Sequence, residues 1–173
     1  MQVIDWQIII KEHGPVVWNT AYRLLGNSAD TADCFQETFI SALKICQRQK
    51  VRNFPALLTR LATTRAIDQL RRRFRREQNK ILDEGAVYSD SDPAKYVQQQ
   101  ELAARLQKAL AQLPLQEAQV FCLRYLNDMS YRQIAKELNI KTNAVGVLLH
   151  RAKEKLRKSF SSLSNQQKSE VML

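Results

Sequence analysis

The sequence predicts an all-α protein made of two small helical domains joined by a flexible linker, and three observations lead there. Only four glycines and four prolines occur in 173 residues. Apolar and charged residues alternate at helical spacing through most of the chain, as expected of amphipathic helices. That period lapses once, between Glu77 and Pro93, where the run DEGAVYSDSDP gathers Asp, Ser, Gly and Pro. Such a stretch reads as an interdomain linker. The expected division is therefore a first unit over 1–76, a linker over 77–97, a second unit over 98–160 and a flexible tail over 161–173.

Taken in order, Trp6, Ile9 and Ile10 open an apolar helix that Gly14-Pro15 interrupts, with Pro15 placed to begin a new one. Val17, Ala21, Leu24 and Leu25 continue its buried side until Gly26-Asn27 ends it. Ser28 is positioned to cap the next helix, whose Phe35, Phe39, Ala42, Leu43 and Cys46 share one face. Its other face carries Asp30, Asp33, Gln36 and Glu37, an acidic patch in a basic protein. Acids in the first turns also complement the helix dipole.

A third helix is expected from Phe54-Pro55, with Leu57, Leu58, Leu61, Ala62, Ala66 and Leu70 covering much of its circumference. That distribution suits a helix wedged between the first two. It runs out into Arg71, Arg72, Arg73, Arg75 and Arg76, five arginines in six residues. Dipole compensation yields only a few tenths of a kcal/mol per basic residue, about 0.3 at an exposed site, whereas such a density suits phosphate contacts. A merely solvated basic run is the plain alternative.

After the linker, Leu102, Leu106, Ala109, Leu110 and Leu113 restore the helical period, and Pro114 starts a helix with Ala118, Phe121, Cys122, Tyr125 and Leu126. From Ser130 to Leu156 the pattern becomes two helices around a tight turn. Ser130 and Gln133 form a capping box. Ile134, Ala135 and Leu138 give the first helix its apolar side, Asn139 and Ile140 break the period, and Val145, Leu149, Ala152 and Leu156 give the second helix its own. This is a helix-turn-helix pattern. With the stripe turned inward, Asn143, Val147, His150 and Arg151 face outward, and Lys141 and Thr142 sit at the N-terminus that enters the major groove in such modules. An ordinary helical hairpin would show the same periodicity.

The remaining composition mostly excludes. A net charge of +10 points to a polyanionic partner. No window approaches the roughly 20 apolar residues of a membrane span, and the N-terminus lacks a basic leader and a cleavage site, so a cytoplasmic protein without membrane insertion is expected. Cys34, Cys46 and Cys122 are widely spaced on apolar faces and read as reduced core residues. His13 and His150 stand far from any ligand cluster. Glycine-rich phosphate loops, nucleophile elbows and paired zinc motifs are absent from the sequence, so neither cofactor, metal nor catalysis is expected.

Together these stretches resemble bacterial sigma factors of the extracytoplasmic-function type, within the sigma-70 family. The segments AYRLLGNSADTADCFQETFISAL and FPALLTRLATTRAIDQLRRR are similar to the family's second region. The segments LAQLPLQEAQVFCLRYLNDMSYRQIAKELNI and AVGVLLHRAKEKLR are similar to its fourth. The resemblance implies a non-enzymatic initiation factor that binds core RNA polymerase and directs it to promoters. It assigns Asp33, Gln36, Glu37 and Phe39 to the clamp helices of the β′ subunit, with further contact to the β subunit. It assigns Arg60, Arg65, Arg71, Arg72, Arg73, Arg75 and Arg76 to the melted −10 region, where single strands favour basic grooves. Lys141, Thr142, Asn143, Val147, His150 and Arg151 fall to the duplex −35 region. An anti-sigma protein is a further implied partner.

The chain departs from the family pattern at several positions. Leu57 stands where many relatives have Trp, Thr63-Thr64 where they often have Arg-Asn, and Gly146-Val147-Leu148 where a Lys-Ser-Arg run is common. The loop before Phe54 is also short. These differences bear on base recognition and leave two other readings: a sigma mimic that titrates an anti-sigma protein, and a helix-turn-helix regulator that would explain only the second half.

Overall fold

The computed structural model describes residues 4–83 and 94–170, with side chains over 4–79 and 99–161. Among the described residues there are seven helices: α1 (Trp6–Leu25), α2 (Ser28–Arg48), α3 (Phe54–Asp83), α4 (Ala94–Gln112), α5 (Leu115–Tyr125), α6 (Tyr131–Leu138) and α7 (Thr142–Glu170). The all-helical expectation holds.

Local chemistry sets the boundaries. Asp5 caps α1, accepting from the amides of Gln7 and Ile8 at 3.0 and 3.3 Å. At the other end Gly26 takes φ 74°, a left-handed conformation that glycine adopts without steric cost, and its N–H donates to the Tyr22 carbonyl. The cap of α2 is Asn27, whose side chain accepts from the Asp30 amide at 2.9 Å, so Ser28 is the first helical residue and not the cap. Asn53 accepts from the Ala56 amide at 3.1 Å where α3 begins.

The expected interruption at Gly14-Pro15 does not occur, for α1 runs unbroken through Pro15. Apolar residues on both sides of it pack on the same neighbours: Trp6 and Ile9 before it, and Val17 after it, all join the cluster of Phe39, Ala42, Leu57, Leu58, Leu61 and Ala62. Tertiary packing therefore overrides the local cost of proline. Helix α3 also continues past Arg76 to Asp83, and α7 past Phe160 to Glu170. Neither extension meets a glycine or proline, so nothing in the chain stops the helix there. Of the expected linker, residues 77–83 and 94–97 are thus helical, and 84–93 lie outside the described residues.

Three apolar clusters organise the molecule. The one just named joins α1, α2 and the first turns of α3. A second joins α5, α6 and α7 through Val120, Leu123, Met129, Ile134, Ala135, Val145 and Leu149. The third spans both halves of the sequence. It brings Leu24, Ala66, Ile67 and Leu70 against Leu110, Leu113, Ala118, Cys122 and Leu156. Leu24, Ile67, Leu70 and Leu110 are at most 1% exposed, each contributing about 1.5–3 kcal/mol by burial. Helix α3 is consequently wedged not only between α1 and α2 but also against α4 and α5.

Candidate nucleic-acid interface

The helix-turn-helix is assembled from cap chemistry outward. The Ser130 amide donates to Gln133 Oε1 at 2.8 Å, and the Gln133 amide donates to Ser130 Oγ at 3.3 Å, completing the expected capping box. Asn139 closes α6 in the left-handed region at φ 52°, and the Ile140 amide reaches back to the Ala135 carbonyl at 2.9 Å. That turn aims α7 across α6. Val145, Leu149, Ala152 and Leu156 are buried, as the stripe predicts, while Lys141, Thr142, Asn143, Val147, His150 and Arg151 are all exposed. The structure brings this set together along the outer side of α7, with Lys141 just before its first turn.

A shallow groove of about 510 Å³ runs along that side, lined by Tyr131, Thr142, Asn143, Gly146, Val147, His150 and Arg151. Tyr131 is a residue that sequence reasoning missed. Its ring is 40% exposed and lies under the Arg124 guanidinium, 5.9 Å from its centroid. The available signal was its place directly after the capping Ser130, on the first turn beside the second helix. Leu148, by contrast, packs against the α5–α7 core, so within Gly146-Val147-Leu148 only Val147 offers a large exposed side chain.

The basic set on α3 divides in two. Arg72, Arg75 and Arg76 are exposed. Four others are engaged by protein. Arg60 Nε lies 3.5 Å from the Glu137 carboxylate, and Arg65 donates to Ser41 Oγ at 2.9 Å. Arg71 donates to the Leu113 carbonyl. Arg73 donates to Gln107 Oε1 at 2.6 Å and sits over the Phe74 ring. The arginine run is therefore not uniformly presented, because Phe74 between its members packs on the shared core and draws its neighbours inward.

On α2, Asp33 and Gln36 are exposed and Glu37 half-buried. Phe39, placed beside them by the resemblance, is 8% exposed and packs 4.9 Å from the Phe35 ring. It backs the acidic face from within the core and does not present itself on it. The apolar residue that the face does present is Ile40, 51% exposed; it follows Gln36 and Glu37 by one helical turn, a spacing that could have revealed it. Leu43, expected inside, is 40% exposed.

Among the described residues no group of three or more His, Cys, Asp or Glu could hold a metal ion, and no helix is long and apolar enough to cross a membrane. Burial pushes the Cys34 thiol up to about 11 and the Cys122 thiol up to about 12, both far from the reactive range.

An exposed recognition helix on a capped helix-turn-helix, joined to a helical unit with a basic third helix, defines a DNA-binding protein. Residues 9–76 match the family described as sigma-70 region 2, and residues 103–156 match sigma-70, region 4. The chain is 32% identical over 160 residues to the ECF RNA polymerase sigma factor SigW of Bacillus subtilis, covering 85% of this chain and 84% of that one. It is 30% identical over 155 residues to the ECF RNA polymerase sigma factor SigE of Mycolicibacterium smegmatis, covering 88% of this chain but only 60% of that relative's length. Among solved structures, CnrH in complex with the cytosolic domain of CnrY aligns with TM-score 0.58 and 22% identity over 91% of this chain and 88% of that one. The sigma factor RpoE with the anti-sigma factor NepR from Bartonella quintana aligns with TM-score 0.52 and 19% identity over 92% and 98%. The chain belongs to the extracytoplasmic-function sigma factors of the sigma-70 family, which act in transcription initiation and are not enzymes.

Proposed function

We propose that this sigma factor holds core RNA polymerase through the outer face of α2, engages the melted −10 region with α3 and reads the duplex −35 region with α7. In this reading residues 1–76 are the polymerase and −10 unit, 77–97 the joint, and 98–160 the −35 unit. The observation that carries it is α7, on which Thr142, Asn143, Val147, His150 and Arg151 are exposed, with Lys141 exposed just before its first turn, while the opposite stripe is buried. Asp33 and Gln36, with Ile40 one turn on, supply an exposed polar face with an apolar anchor for the β′ clamp helices, and the β subunit is the expected further contact. The protein works in the cytoplasm, and an anti-sigma protein is a further partner there, as the anti-sigma factor NepR is of the similarly folded RpoE.

The test is run-off transcription with purified core polymerase on a promoter library. The chain should give discrete transcripts, and Asp33→Ala with Gln36→Ala should abolish most of them by weakening core binding while helical content is kept. Capture of an anti-sigma protein with no transcript from any promoter would instead establish a sigma mimic.

A further inference from the structure

The groove beside α7 has an apolar middle and polar ends. Tyr131, Gly146 and Val147 line its middle, with Thr142 and Asn143 a turn earlier along α7 and His150 and Arg151 a turn later. Its floor is lowest at Gly146. Apart from the chain neighbours of Gly146 and the backbone of its own helix, a β-carbon built there would meet, among the described residues, a single atom within 4 Å, Cε2 of Tyr131 at 3.7 Å. The missing side chain therefore leaves a recess open to the groove. Its walls are the Tyr131 ring edge and the side chain of Val147, which is 51% exposed. The first wall is held from behind, because the ring lies under the Arg124 guanidinium and the Ser130–Gln133 capping box fixes the turn of α6 that carries it. Packing does not require the glycine. A methyl group at this position would make ordinary contact with Tyr131, and glycine weakens a helix interior, so what calls for it is the close approach of something from outside the chain.

We infer that this recess is a pocket for the C5-methyl group of a pyrimidine, and that Gly146 and Tyr131 set the base preference of α7 at the position it faces. The inference rests on the proposed assignment of α7 to the duplex −35 region. Each base pair shows the major groove its own set of donors and acceptors, and the one apolar group in those sets is the thymine methyl. Gly146 has no side chain and Val147 offers neither a donor nor an acceptor, so the methyl is the group that this part of the helix is equipped to read. Cytosine lacks that group. 5-Methylcytosine carries it at the same ring position, so the pocket accepts the methyl from thymine in unmodified DNA and from 5-methylcytosine in methylated DNA. Asn143, a turn earlier and exposed, has the donor and acceptor that suit an adenine edge. The polar and apolar parts of the groove thus read neighbouring base pairs by different chemistry. An alanine at 146 would place its own methyl group in the recess and exclude that of the base, which makes the empty position itself the determinant.

The experiment uses the full chain bound to core polymerase. A promoter library with a randomised −35 block first yields the best-bound duplex, and each thymine of that block, on either strand, is then replaced singly by uracil, which removes the methyl and nothing else. At the position that meets the recess, uracil should bind about four-fold more weakly, the factor that burial of one methyl group represents. There 5-methylcytosine should bind better than cytosine by a similar factor. Gly146→Ala should bring the thymine-to-uracil ratio close to unity while the protein melts no lower, a combination that damage to the fold would not produce. Tyr131→Phe should keep the ratio and Tyr131→Ala should lower it. The slope of log affinity against log salt should be the same in all three variants, because none alters a charge. Equal binding of thymine and uracil at every position, equal binding of the two cytosines, or a ratio that survives both Gly146→Ala and Tyr131→Ala would overturn the pocket and leave the −35 assignment of α7 standing. A library from which no −35 sequence is selected would overturn that assignment and the pocket with it.

Discussion

The ring of Tyr131 lies 3.7 Å from the point where a β-carbon on Gly146 would stand. That is ordinary van der Waals contact, so the site accepts a methyl group without displacing the ring. Gly146 sits within α7, where glycine costs about 1 kcal/mol relative to alanine. Gly146→Ala should therefore stabilise the protein by roughly 0.5–1 kcal/mol, raising the melting temperature by about 2–4 °C per kcal/mol for a chain of this size. A thermal melt checks it; a lowered midpoint would show that the contact with Tyr131 is tighter than the geometry indicates.

Glu117 is only 4% exposed, and both its carboxylate oxygens accept from Lys155 Nζ, at 2.9 and 2.8 Å. The bond ties α5 to α7 and so fixes the recognition helix on its support. Lys155→Met would leave a buried carboxylate without its partner, costing about 1–3 kcal/mol. Half-exposure of the lysine, 48%, puts the expectation toward the lower end, because its charge is screened by water. Glu117→Gln with Lys155→Met should recover part of the loss. Urea midpoints for the single and double variants measure the difference, and a single variant as stable as the parent would mean that water replaces the lysine.

The three thiols should separate by chemistry. Cys34 and Cys122 are buried and held at about 11 and about 12, above the ordinary 9.0, by desolvation of the thiolate. At pH 8 a disulfide reagent should label Cys46, which is half-buried, and reach the other two only after unfolding. The sign for stability follows from linkage: the unfolded chain loses these protons near pH 9.0, the folded one only near the raised values. Their contribution is complete below about pH 9 and falls as pH rises through the folded range. Cys34→Ala with Cys122→Ala should flatten that alkaline loss in denaturant midpoints; an unchanged slope would assign it to other groups.

The elements legible in the sequence are those whose own side chains decide them. The stripe Val145, Leu149, Ala152 and Leu156 is buried as its spacing requires, and the Ser130–Gln133 box is local chemistry. Residues whose fate depends on distant packing were not legible. Pro15 stays helical because α2 and α3 hold both sides of it. Phe39 turns inward and Leu43 outward from the same apolar face, and Leu102, expected inside, is 58% exposed. The polar contacts between the two halves of the chain were invisible for a further reason. Their partners, such as Thr64 with Gln119 and Thr20 with Asn127, are uncharged polar residues 55 and 107 positions apart, with no pattern of their own to pair them.

The recognition helix supplies the most discriminating prediction. Asn143 lies in the first turn of α7, exposed, where a side-chain amide can bond an adenine edge bidentately, and exposed Val147 one turn on can meet a thymine methyl. Arg151 follows by another turn, nearer the edge of the groove, where phosphate contact is favoured. Tyr131 borders the same groove and shapes its floor. A good bidentate base contact is worth roughly 1–3 kcal/mol of discrimination. Asn143→Ala should therefore relax preference at one or two base positions of a randomised −35 library, whereas Arg151→Ala should weaken all sequences alike and reduce the salt slope by about one. Both variants should hold core polymerase undiminished, because that contact is assigned to α2. A library profile and overall strength unchanged in both, with polymerase still bound, would show that α7 does not read DNA and would move the sigma-mimic reading ahead.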